Sequence, residues 1–103
     1  MKLSKAELGE LEKIFDYCIN YDSDDFDAPI DPLSYIDSNG DNCLHIAAFR
    51  SDLRAVELLL KGGVNVNSLG DMEQTALDYA KRKASAEVVN CLLKNGGKSA
   101  KEI

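Results

Sequence analysis

One histidine, three cysteines and a run of aspartates are the side chains in these 103 residues whose types could do chemistry. A lone His45 excludes a His-pair metal site and makes acid–base catalysis depend on one ring. Cys43 lies two residues from His45, which is not a metal-ligand spacing, and none of Cys18, Cys43 and Cys91 belongs to a Cys-x-x-Cys pair. Three thiols cannot all pair within one chain. Cys18 and Cys91 fall in apolar stripes, so buried, reduced cysteines in a cytoplasmic protein are expected. Asp37-Ser38-Asn39-Gly40-Asp41 has the look of a calcium loop, but its glycine comes fourth instead of sixth, and Ala48 stands where the closing Glu is required. No phosphate-cradling glycine loop, Gly-x-Ser-x-Gly elbow or His-Glu-x-x-His segment occurs. The expectation is a chain with no catalytic residue, no metal site and no cofactor.

Charge narrows the partners. Lys and Arg number 12 against 18 Asp and Glu, a formal net charge of -6, which argues against nucleic acid and against an anionic membrane surface. The acids are unevenly placed. Residues 1–42 hold most of them against Lys2, Lys5 and Lys13 alone, while residues 43–103 are slightly basic. Asp22, Asp24, Asp25 and Asp27 crowd a segment closed by Pro29 and Pro32, with Phe26 among them. Mutual repulsion and the prolines disfavour a helix there, so an exposed loop is expected. Such an acidic docking edge would suit a basic protein. No apolar run is long enough to span a bilayer, and the first residues turn acidic where a signal peptide would need its hydrophobic segment.

The elements that must position these residues show in a repeat of 33. Overlaying residues 37–64 on residues 70–97 pairs Leu44 with Leu77, Ala47 with Ala80 and Val56 with Val89. Leu59-Leu60-Lys61 then falls on Leu92-Leu93-Lys94 and Gly63 on Gly96. Asn42 and Thr75 are helix N-cap types, and Thr75 with Asp78 makes a short-armed capping box. Each unit therefore reads as two helices, residues 43–50 then 53–61, and residues 76–83 then 86–94. Val56, Leu59 and Leu60 form an apolar stripe matched by Val89, Leu92 and Leu93, and glycines stop the second helix. Between the units, residues 64–71 alternate briefly and suit an extended finger.

Residues 1–36 do not repeat the pattern. Ser4-Lys5-Ala6-Glu7 is a capping box, and Leu8, Leu11, Phe15 and Cys18 then share one helical face, predicting a helix over residues 5–20. It would stand where a first unit's outer helix belongs and cover Val56 and Leu59. The domain organisation expected is one domain over 1–103, with a capping helix and acidic loop (1–36), a repeat (37–69) and a C-terminal repeat (70–103).

A 33-residue period carrying Asn42-Cys43-Leu44-His45-Ile46-Ala47 and then Val56-Glu57-Leu58-Leu59-Leu60-Lys61-Gly62-Gly63 resembles the ankyrin repeat. Asp37-Ser38-Asn39-Gly40 fits that family's hairpin turn, and Thr75-Ala76-Leu77-Asp78-Tyr79-Ala80 with Val89-Asn90-Cys91-Leu92-Leu93 is the second copy. The second copy departs from the pattern. Asp78 replaces the histidine, Lys81 stands where the first unit has Ala48, and Gly70 and Glu73 replace the Asp and Gly of the turn, so a less regular hairpin is expected.

The resemblance implies an all-α solenoid of helix-turn-helix units with short hairpin fingers. It implies a structural His45 whose ring bonds backbone between neighbouring units. It also implies a non-catalytic module that binds another protein through fingertips and inner helices. Carried over by position, the partner-binding residues are Ser38, Asn39, Asp41, Phe49 and Arg50 in the first unit, and Asp71, Met72, Gln74, Arg82 and Lys83 in the second. Phe49 is either an exposed anchor or partly buried against the N-terminal loop. Arg82 and Lys83 are either contacts or a solvated helix end. So short a chain without an effector domain would suggest an inhibitor or adaptor masking a partner's surface, in its sharpest form an immunity protein neutralising a basic bacterial toxin. The alternatives are a regulatory subunit of a larger enzyme complex and a homo-oligomeric structural protein.

Overall fold

The computed structural model describes residues 3–25 and 27–103. Among them are five α-helices: α1 (Lys5–Ile14), α2 (Cys43–Phe49), α3 (Leu53–Lys61), α4 (Ala76–Arg82) and α5 (Ala86–Lys94). Helices α2 and α3 form one antiparallel pair and α4 and α5 the next, with α2 packed on α4 in an inner layer and α1, α3 and α5 stacked in an outer one. The starts of α1 to α4 are each capped by a local side chain. The Asn42 and Thr75 side chains accept the N–H groups of His45 and Asp78, while Asp52 accepts that of Ala55. Gly63 and Gly96 end α3 and α5 in the left-handed region, with φ of 95° and 84°.

The N-terminal helix is shorter than its apolar stripe predicts. It ends at Ile14 instead of near Asn20. Ile14-Phe15-Asp16-Tyr17-Cys18-Ile19 is rich in β-branched, aromatic and Asp residues, all weak helix formers. Phe15 leaves the helix at φ −106° and buries its ring in the core, and the Cys18 N–H then donates to the Phe15 carbonyl in a tight turn. The Ser4–Glu7 capping box forms as read, and α1 does lie against α3. Two ion pairs clamp that contact, Lys61 to Glu7 at 2.7 Å and Arg54 to Glu10 at 2.9 Å.

The core is one thin layer running through both units. Leu11, Phe15, Leu44, Val56, Leu59, Leu77, Val88 and Leu92 are all buried in it. The predicted stripe on α5 is displaced. Val88 and Leu92 face inward, Val89 is only half-buried, and Leu93 is 51% exposed. Among the described residues of the outer layer, α3 is flanked by both α1 and α5, whereas α5 has α3 on one side only, so one flank of its stripe stays in water.

Candidate protein-binding groove

The site is built from the two fingers and the inner helices behind them. In the first finger the Asp37 N–H donates to the Asp41 carbonyl, and the Asp37 carboxylate accepts the N–H groups of Asn39 and Asp41. Gly40 takes φ 91° at the tip, and an antiparallel bridge between Ile36 and Asn42 closes the neck. The second finger closes by the same backbone bond, Gly70 N–H to the Gln74 carbonyl at 2.8 Å, but it lacks both the internal carboxylate and the glycine. A 3₁₀ turn over Asp71–Glu73 replaces them, with Met72 and Glu73 both left-handed at φ 56° and 57°. That is strained backbone for residues with a Cβ, and it leaves Met72 82% exposed. The irregular second hairpin follows from the two missing residue types.

Asp41 ties the fingers together. Its Oδ1 accepts the Asp71 N–H and the Tyr79 hydroxyl, both at 2.8 Å. His45 Nδ1 accepts the Asn42 N–H at 3.0 Å, so Nε2 carries the proton and donates to the Ser68 carbonyl at 2.8 Å. A Cβ at Gly70 would run into this Asp41–His45 pair, which is why the second finger begins on glycine. Burial, and then the bond to Asp41, push the Tyr79 phenol well above its ordinary pKa, so it stays a donor. Its ring meets His45 edge-on at 5.7 Å and Phe49 at 6.4 Å.

Three cations lie over rings on the helix side. Arg50 sits 5.0 Å above Tyr17, Arg82 5.0 Å above Tyr79, and Lys83 4.7 Å above Phe49. Fingers and helices together enclose an open groove of about 510 Å³, lined on its apolar floor by Tyr17, Ile46, Phe49, Met72 and Tyr79.

The family follows from a match to these repeats. The family model for ankyrin repeats in three copies matches residues 6–102. The chain belongs to the ankyrin-repeat family. The ankyrin match begins inside α1, so the shortened helix stands in the outer-helix place of a unit that has no inner helix of its own among the described residues. A local similarity is also present. Over 64 residues, 62% of this chain, it is 31% identical to alpha-latrotoxin-Lg1a of Latrodectus geometricus. The chain spans 5% of that protein's length. The ankyrin repeat is a protein-interaction module, and no helix among the described residues is long and apolar enough to cross a membrane.

Of the residues read from the sequence as ankyrin contact positions, Asn39, Asp41, Phe49, Arg50, Asp71, Met72, Gln74 and Arg82 line the groove together. Ser38 does not; its hydroxyl faces Tyr21 of the N-terminal segment at 3.5 Å. Lys83 reaches the groove rim by lying on Phe49. Phe49 is 53% exposed, and its ring partners are Tyr79 and Lys83 of the next repeat, not the N-terminal loop.

Five further residues line the groove beyond those contact positions: Tyr17, Asp37, His45, Ile46 and Tyr79. Tyr79 falls opposite Ile46 in the 33-residue overlay, and both side chains face the groove, so the register carried the signal. Tyr17 had none, because its position depends on α1 ending early. The acidic edge lies apart from the groove. Asp22, Asp24, Asp25 and Asp27 are exposed, and the Asp25 carboxylate accepts the Asp27 N–H in a local turn; Phe26 lies outside the described residues. No group of three potential metal ligands converges among the described residues. Burial raises the thiol pKa of Cys18, Cys43 and Cys91, which keeps all three protonated and weakly nucleophilic.

Proposed function

We propose that this chain is a non-catalytic module that holds a protein partner in the groove between its fingers and inner helices, acting as an inhibitor or adaptor by covering the partner's surface. The observation that carries this reading is where the exposed apolar side chains fall. Tyr17, Phe49 and Met72, three of the nine exposed large apolar side chains among the described residues, line one concavity whose walls are polar, which is the make-up of an interface core within a rim. Phe49 beside Arg50 and Arg82 is the anchor, since aromatic and Arg side chains dominate binding energy at such sites. The residues 1–103 are proposed to act as one domain, with 1–36 serving as a cap over repeats 37–69 and 70–103.

The acidic edge has a different part. Exposed carboxylates at Asp22, Asp24, Asp25 and Asp27 would steer a basic surface during approach without holding it. Masking a basic enzyme or toxin is the inhibitory form of this reading. It requires association rates that fall steeply with salt, and salt-independent rates would remove it.

A photo-crosslinking amino acid placed at Met72, and separately at Glu57 on the outer helix α3, tests the groove in the native cell. Crosslinks to one protein from position 72 and not from 57 are expected. Crosslinks from position 57 alone would defeat the reading.

A further inference from the structure

We infer that the segment seated in this groove is an acidic one, presenting Asp or Glu carboxylates to the helix side; the inference rests on the groove reading above. Two other cations packed against a neighbouring element have a carboxylate of this chain as partner: Lys61 has Glu7 and Arg54 has Glu10. Arg50, Arg82 and Lys83 have none among the described residues. Each is instead spread on an aromatic ring at 4.7 to 5.0 Å, which fixes the cation without neutralising it.

Their place at the C-terminal ends of α2 and α4 favours a positive charge in general. That alone does not explain stacking on rings that face the groove. Lys61 ends α3 equally well and turns outward to an ion pair. Three neighbouring cations with no ion-pair partner among the described residues are also unexpected in a chain of net charge -6.

The finger wall opposite is acidic: Asp37, Asp41 and Asp71 all line the groove, and the first two carboxylates are already engaged. Asp37 holds its own turn, and Asp41 takes the Tyr79 hydroxyl and the Asp71 N–H. This wall repels incoming carboxylates and so directs them to the helix side. Arg guanidinium groups already flat on rings can then offer their edges to carboxylates in the two-bond geometry that Arg favours. Apolar side chains between the acids would reach Phe49 and Met72.

Random linear peptides displayed on phage, selected on the native chain, provide the test. Two variants are selected in parallel: Arg50→Glu with Arg82→Glu, and Phe49→Ala with Met72→Ala. All four positions are exposed, so unchanged thermal unfolding midpoints confirm that each variant is folded. The native chain is expected to enrich peptides with an excess of Asp and Glu. Their affinity, measured with the synthetic peptides, should fall about tenfold or more in the charge-reversed variant.

Peptides that need Phe49 and Met72 but show no acidic bias, or that ignore the charge reversal, would overturn this inference and leave the groove reading standing. Peptides indifferent to both variants, or no enrichment at all, would overturn both. Sedimentation gives the remaining outcome. Self-association of the native chain that is lost on charge reversal would make the acidic loop of a second copy the occupant, which also overturns a separate acidic partner.

Discussion

The repeat over residues 37–69 and the one over residues 70–103 share a register and differ in what surrounds them. Ala48 of the first is fully buried between neighbouring helices; Lys81, its counterpart 33 residues on, is exposed. His45 reaches the Ser68 carbonyl in the segment leading into the next finger, whereas Asp78 accepts the Ala100 N–H of the closing 3₁₀ turn. Thr75, buried beside it, donates to the Lys98 carbonyl. The lesson is that one repeat pattern carries two chemistries. Where another unit packs, the shared positions are small or aromatic; where water meets the stack, they are charged and tie down the chain's own last turn.

Exchanging residues between the two repeats should break this difference most severely at position 48. Ala48→Lys would push an unpaired ammonium into the core and is expected to cost more than about 4 kcal/mol, leaving the chain largely unfolded by circular dichroism. The reverse change, Lys81→Ala, should stay within about 0.5 kcal/mol. Equal effects would dismiss the distinction.

Next in size is Leu59→Ala, expected to cost about 2–5 kcal/mol in urea unfolding because the site is closed on both sides, whereas Leu93→Ala on the open flank should be nearly silent. Tyr79→Phe removes a hydroxyl held by a carboxylate and should cost about 1.5–3 kcal/mol. A smaller loss would mean that the Asp41 bridge contributes little to joining the fingers.

Glu73→Gly has the opposite sign. Restoring at the second fingertip the residue type that the first has in Gly40 should raise stability by about 0.5–1 kcal/mol, relief of left-handed strain exceeding the entropy cost of glycine. No gain in melting temperature would count against strain there.

The smallest effect concerns the clamp of α1 on α3, which α5 lacks. Lys61 and the Ser4 N–H hold the Glu7 carboxyl down to about 2. A depressed pKa contributes stability that is complete above the ordinary value of 4.5 and is lost as pH falls toward 2. Thermal midpoints of native and Glu7→Gln protein should therefore differ at neutral pH and converge across that acid range. A constant gap would assign the contribution elsewhere.

Much of this was legible in the residues themselves. Helices α2 to α5 begin and end within a residue of their reading because each is bounded locally, by the Asn42, Asp52 and Thr75 caps at three starts, by the left-handed turn at Ala84 before the fourth, and by glycines or short turns at the ends. The end of α1 was not legible, because no stop residue marks it. Phe15 leaves the helix to fill the core, and only the tertiary packing favours that. The groove was legible by position through the 33-residue register, yet its cation-on-ring pairs were not. Two of the three join residues far apart in the chain, Arg50 with Tyr17 through that early end and Lys83 with Phe49 across the repeats; only Arg82 on Tyr79, three residues apart on α4, is a local neighbour.

The carboxylate that bridges the fingers has a consequence for the thermodynamics of recognition. With Asp41 gripping Asp71 and Tyr79, both fingertips are already set before any partner arrives. A partner seated in the proposed groove would then find the groove's loops already ordered, so the entropic penalty would fall mainly on the partner's segment and on lost tumbling. Free and bound forms of this face should superimpose closely, and affinity should respond to changes in the partner's flexibility far more than to changes in its own.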